Sequence, residues 1–150
     1  MQYDLDTIKR ELHTLPAFDN QIYLQGIDEG MDPINPTLGQ NYLDANRNEI
    51  GYHVPLFDIP YINDIIHEHR LTRTRVMRMF KKTCYYWHKD ITQRLHIPIV
   101  TNEHCFLVFE DGTMHLPATG KAYIIDTTRY HSAMNASKQD RIHIIGNLPK

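Results

Sequence analysis

The sequence predicts a mainly β protein, a jelly roll with a helical N-terminal third packed on it. Three observations predict it. From Leu71 onward, short runs rich in β-branched and aromatic residues recur at roughly ten-residue spacing, the pattern of a sandwich or barrel. Glu110-Asp111-Gly112 and Ala118-Thr119-Gly120 supply turns between such runs. Before Leu71, apolar residues instead fall twice at helical spacing. A chain of 150 residues is enough for one domain with a real core and no metal or disulfide staples. The expected organisation is one domain over 1–150, a helical and loop part over 1–70 and a jelly-roll core over 71–148.

Taken in order, Asp4 to Leu15 is an amphipathic helix, with Leu5, Ile8 and Leu12 on one face, Asp4 as N-cap and Pro16 closing it. Gln21 to Gln25 alternates as a short strand. Residues 26–50 are rich in Gly, Pro, Asn and Asp and form a long loop, either a surface excursion or a lid over a site. Gly51 to Asp58 is extended. Past Pro60, Ile62, Ile65 and Ile66 mark a second helix. The strands expected after it are Thr72 to Met79, Thr83 to Asp90, Arg94 to Val100, Cys105 to Phe109, Gly112 to Leu116, Ala122 to Asp126, His131 to Asn135 and Arg141 to Ile145.

Composition narrows the function classes. Apolar content of 41% and charged content of 23% are those of an ordinary soluble protein. A net charge of −2 offers no field for nucleic acid or an anionic membrane. No apolar run spans a bilayer, and the polar N-terminus carries no signal-peptide core, so a cytoplasmic protein is expected. Cys84 and Cys105 have neither disulfide nor zinc spacing and read as small buried residues. Arg70, Arg73, Arg75, Arg78, Lys81 and Lys82, followed by Tyr85, Tyr86 and Trp87, read as a solvated face and a buried face, not as a nucleic-acid surface. The ten histidines are the compositional oddity.

Two of those histidines organise the chemistry. On a strand, His88 and Asp90 project from one face, so an imidazole nitrogen and a carboxylate oxygen converge. A third ligand from a distant strand would complete the two-His, one-carboxylate facial triad of non-haem iron oxygenases. His-x-Asp alone is a weak signal in so His-rich a chain. Context strengthens it: Arg94 and His96 share one strand face, and Arg141 follows His131 by ten residues. A metal face with two separate arginines suits a small dicarboxylate that chelates the metal and is clamped at its far end, and 2-oxoglutarate is such a molecule. Strand alternation from His88 puts Cys84, Tyr86 and Asp90 on its face and leaves Trp87, on the other, as a core residue.

His88-Lys89-Asp90, Arg94-Leu95-His96-Ile97-Pro98-Ile99, Thr101-Asn102, Tyr130-His131 and Arg141-Ile142-His143 together resemble the aspartyl/asparaginyl β-hydroxylase family, whose pattern bacterial proline hydroxylases share. The resemblance covers about Leu71 to Leu148. It implies a double-stranded β-helix, a cupin-like jelly roll, and an Fe(II)- and 2-oxoglutarate-dependent dioxygenase. On that basis His88, Asp90 and His131 would bind iron. Arg94 and His96 would meet the metal-side carboxylate of 2-oxoglutarate and Arg141 its distal one. The animal enzyme that names the family lacks the carboxylate ligand, whereas this chain has Asp90. It therefore resembles the full-triad members more closely, and the family name does not fix the substrate. Thr83 and Tyr86 are candidates for a hydroxyl beside the distal carboxylate. The implied reaction hydroxylates an aliphatic C–H of a free amino acid or of a peptide or protein side chain, releasing succinate and CO2. O2 is the third reactant, and neither nucleic acid nor membrane is an expected partner. Two rivals stay open: a zinc hydrolase on the same ligands, which leaves both arginines unexplained, and a non-enzymatic jelly-roll binding module, which leaves the intact triad unexplained.

Overall fold

Strands β6 (Arg94–Val100) and β11 (Arg141–Asn147) are buried almost end to end, so both of their faces must be covered. The computed structural model, which describes residues 1–36 and 49–150, shows what covers them. They lie in a five-stranded antiparallel sheet with β1 (Gln21–Tyr23), β4 (Thr72–Met79) and β9 (Tyr123–Ile125), in the order β1-β4-β11-β6-β9. A four-stranded sheet of β5 (Thr83–Cys84), β7 (Cys105–Phe109), β8 (Gly112–Met114) and β10 (His131–Asn135) runs β5-β10-β7-β8. From β4 on, the chain winds back and forth between the two sheets. That winding is the expected jelly roll. A short pair, β2 (Gln25–Gly26) with β3 (Val54–Pro55), lies apart from both sheets.

Alternation along the five-stranded sheet divides its labour. Val76, Leu95, Ile97 and Ile144 face outward, where they cluster with Ile8 of α1 (Leu5–Leu12) and Ile62, Ile65 and Ile66 of α2 (Pro60–Glu68). At about 1.5–3 kcal/mol for each buried side chain of this size, that contact holds both helices on the sheet. Asp4 caps α1, accepting from the amides of Asp6 and Thr7. The N-cap of α2, Ile59, has no capping side chain; Glu11 of α1 instead accepts from the amides of Tyr61 (2.9 Å) and Ile62 (2.8 Å). Met79, Leu107, Phe109, Leu116, Ile125 and Ala133 form a second cluster between the sheets. Beside it the inner face turns polar.

Most expected elements are present, with some edges moved. The first helix is shorter, Leu5–Leu12, and the stretch expected to be extended from Gly51 opens in a 3-10 turn, Glu49–Gly51. The N-terminal part also contributes an edge strand, β1, to the main sheet. Of the loop or lid expected over 26–50, residues 37–48 lie outside the described residues; of the rest, Gly26 ends β2 and Glu49 and Ile50 belong to that 3-10 turn. Cys105 is buried as expected, but Cys84 is exposed. Among the described residues no helix is long and apolar enough to cross a membrane.

Candidate metal centre and cavity

The strand expected over Thr83 to Asp90 is interrupted, and the interruption shapes the site. Thr83 and Cys84 pair with Asn135 and Met134, but the next ladder contact along this segment is an isolated bridge between His88 and His131. Four residues on one side therefore span three on the other. That is a β-bulge, and one extra residue exchanges the faces on either side of it. Strand alternation drawn back from His88 consequently fails. Tyr85 lines the cavity between the sheets, Tyr86 is 78% exposed, and Cys84 turns out to solvent. Trp87 is not core: it is 45% exposed and stacks on Tyr130, with ring centroids 6.4 Å apart. Thr83 donates to the Lys81 carbonyl and lies off the cavity, while Tyr86 stands at its rim.

The bridge sets two imidazoles side by side. His88 and His131 exchange both backbone hydrogen bonds, at 3.0 and 2.8 Å, and their rings lie 4.5 Å apart. Asp90, two residues on, donates its amide to the Thr127 carbonyl and turns its carboxylate to both rings. The distances are 3.9 Å from Oδ1 to His88 Nε2 and 3.7 Å from Oδ2 to His131 Nε2. The ligand atoms of His88, Asp90 and His131 all lie within 4.8 Å of one another. Each ring also bonds through Nδ1, at 2.8 Å, to a carbonyl two residues earlier: Tyr86 for His88 and Arg129 for His131. A carbonyl only accepts, so each Nδ1 carries a proton and Nε2 is the ring atom left to face inward. Such outer partners orient metal-binding histidines. Two imidazoles and one carboxylate, aimed at one point and open on the cavity side, fit a divalent metal of the iron class.

Behind the three residues lies a cavity of about 420 Å³. Among the described residues four arginines line it, Arg73, Arg75, Arg94 and Arg141, against two carboxylates, Glu49 and Asp90. Arg94 is held by Glu49 at 3.0 Å and by the Thr92 carbonyl and hydroxyl, and stands 3.5 Å from Asp90, at the metal end. His96 bonds His143 through the two Nδ1 atoms at 3.1 Å. Arg141, only 3% exposed, forms no ion pair among the described residues, and its Nε has no hydrogen-bond partner. Burial lowers its pKa, and the nearby Tyr85 and Cys105 oppose that shift. Asn135, fully buried, binds the Met79 and Gln139 carbonyls and pins the turn leading into Arg141. The structure thus brings His88, Asp90, Arg94, His96, His131 and Arg141 to one cavity. His104 and His115 lie off it, and His143 sits behind His96. Sequence reasoning missed Arg75, Glu49 and Tyr85 as cavity residues.

The two inner histidines make an acid-sensitive core. Burial first, then the charges of Arg141 and Arg94, push the His96 pKa down to about 3, and burial with Arg141 lowers that of His143 as well. A histidine kept neutral in the fold takes up its proton only on unfolding. Stability is therefore full above the unfolded pKa near 6.5 and falls as pH drops from there toward the folded value. For His96 alone the loss between pH 7 and 5 is about 2 kcal/mol. Denaturant titrations at the two pH values are expected to show it, and His96→Gln to flatten the fall by that amount. An equal fall in the variant would disprove the assignment.

The fold and the site together define a jelly-roll protein with a two-histidine, one-carboxylate face. Residues 41–149 match the aspartyl/asparaginyl beta-hydroxylase family, and the chain belongs to that family. Among solved structures it is similar to a cupin domain from Bordetella pertussis Tohama I, at 15% identity and TM-score 0.46, over 52% of this chain and 81% of that one. It is also similar to a cupin-2 domain-containing protein from Shewanella frigidimarina NCIMB 400, at 19% identity and TM-score 0.41, over 51% of this chain and 70% of that one. A comparison with curated proteins finds no match.

Proposed function

We propose that the protein is an Fe(II)- and 2-oxoglutarate-dependent dioxygenase that hydroxylates an aliphatic C–H of an amino acid or of a peptide or protein side chain. One observation carries the reading: the His88, Asp90 and His131 face opens on a cavity that also holds a buried arginine, Arg141, with no ion-pair partner among the described residues. His88, Asp90 and His131 would hold the iron. Arg94 and His96, at the metal end, would meet the near carboxylate of 2-oxoglutarate. Arg141 would take the far carboxylate in its planar fork, with the Tyr85 hydroxyl, not that of Thr83 or Tyr86, beside it. When bound, iron and 2-oxoglutarate direct one oxygen atom of O2 into succinate, with loss of CO2, and the other into a substrate C–H.

The chain's own work is positional. His88 and His131 are held by their Nδ1 bonds to backbone carbonyls, which orient each ring so that Nε2 is the atom turned toward the metal position. His96 stays neutral at physiological pH and offers a hydrogen bond without adding a further charge. The apolar cluster of Met79, Leu107, Phe109 and Ala133 closes the space beside the cavity to water. An anaerobic titration with Fe(II) and then 2-oxoglutarate tests the reading. A weak visible charge-transfer band is expected, followed by succinate release on admitting O2. Absence of the band, with zinc bound in place of iron or with no metal bound, would sink the oxygenase reading.

A further inference from the structure

Arg141 is not the only buried cation of the cavity left without a counter-charge. Arg75, on β4, is 9% exposed and lines the same space. Its Nη1 donates to the neutral amide of Gln21 at 3.2 Å, its guanidinium lies 5.8 Å from the Tyr23 ring centre, and its Nε has no hydrogen-bond partner. Among the described residues it forms no ion pair. The two carboxylates that line the cavity among the described residues are otherwise engaged: Glu49 with Arg73 at 3.4 Å and Arg94 at 3.0 Å, Asp90 with the histidines and Arg94. Arg73 and Arg94, two of its charged neighbours, are themselves cations. Burial, reinforced by those cations, lowers its pKa to about 10, so it stays charged at neutral pH. A buried guanidinium in this setting is costly unless an anion arrives.

That anion is not the one Arg141 awaits. Along β11, Arg141 stands opposite Met79 and Ile145 opposite Arg75. Four residues at about 3.3 Å each separate the two backbone positions by roughly 13 Å. Both arginines act on His96, but their other electrostatic neighbours differ: Tyr85 and Cys105 for Arg141, and Arg73, Tyr23, Arg94 and Glu49 for Arg75. A cavity of about 420 Å³ is near the small end of ligand sites, with room for two small acids.

We propose that Arg75 receives the α-carboxylate of a small free amino acid, and that this free acid, not a side chain within a protein, is the substrate. This rests on the oxygenase reading above. Mn(II)-loaded, non-turnover protein separates the two claims. Wild type, Arg75→Gln, Arg75→Lys and Arg141→Gln are titrated first with 2-oxoglutarate. The loaded complexes are then titrated with the twenty free L-amino acids, the carboxamide of each binder, and the same residue blocked at both ends within a peptide. At least one free acid is expected to bind wild type, with its carboxamide at least about 10-fold weaker. In Arg75→Gln that acid should bind at least about 30-fold more weakly, with partial recovery in Arg75→Lys. The affinity of both Arg75 variants for 2-oxoglutarate is expected to stay within about 3-fold of wild type, which also reports that they fold. The proposal is overturned if Arg75→Gln weakens 2-oxoglutarate as Arg141→Gln does, if carboxamide or blocked peptide binds as well as the acid, or if no free acid binds. A wild type that binds metal but no 2-oxoglutarate would instead remove the oxygenase reading itself.

Discussion

Asp90→Ala is expected to lower metal affinity by at least about 100-fold, the upper end of what loss of a mere outer-shell partner costs. The geometry explains the size. Asp90 places one oxygen toward each histidine, at 3.9 and 3.7 Å, so it is the one anionic member of the set and the member both rings share. Removing it leaves two imidazoles, which carry no negative charge and so nothing to balance a divalent cation, already oriented by the Tyr86 and Arg129 carbonyls. The fold should survive, because Arg94 keeps Glu49 and Thr92 as partners. Mn(II) titration followed by electron paramagnetic resonance, with a denaturant curve of the metal-free protein alongside, separates binding from stability. Metal affinity equal to wild type in a folded Asp90→Ala protein would mean that the three residues are not the ligand set.

How far the sequence discloses this site depends on which physical rule governs each residue. His88 with Asp90 and Arg94 with His96 are legible because spacing of two puts neighbours on one face wherever the backbone is extended, even where the ladder is broken. Arg141 is legible because the turn after β10 is short and strand period carries it inward. Tyr85 is not, since a one-residue bulge between Cys84 and His88 reverses the faces and leaves no mark in the composition of Tyr85-Tyr86-Trp87. Arg75 is concealed for another reason. Alternation of arginine with apolar residues along β4 ordinarily means charge to water and apolar side chains to the core. Here the helices cover the outer face, so Val76 points out to them and Arg75 points into the roll. Only knowing where the helices pack tells the two cases apart, and that is a tertiary fact. Glu49 reaches the cavity from a connecting segment, where no periodicity exists to place it.

Arg141→Met is expected to have effects of opposite sign on binding and on stability. Truncating one partner of a buried charge pair costs about 2–5 kcal/mol, so 2-oxoglutarate affinity should fall by about 30-fold to several thousand-fold. The metal-free, ligand-free protein should meanwhile become more stable. Arg141 is 3% exposed, its Nε is unpartnered, and it forms no ion pair among the described residues, so its charge is a liability until an anion binds. A methionine would meet Met79 across the ladder and the neighbouring apolar cluster of Leu107 and Ala133. Replacing buried charge by well-packed apolar volume typically stabilises by about 1–4 kcal/mol. The two readouts discriminate a binding residue from a structural one, because a structural Arg141 would lose stability on the same substitution. Denaturant midpoints of the ligand-free proteins and calorimetric titration with 2-oxoglutarate give both numbers from one preparation. A variant that is less stable and still binds 2-oxoglutarate normally would return Arg141 to the core as a scaffold residue, and with it the far end of the cavity would lose its assigned anion.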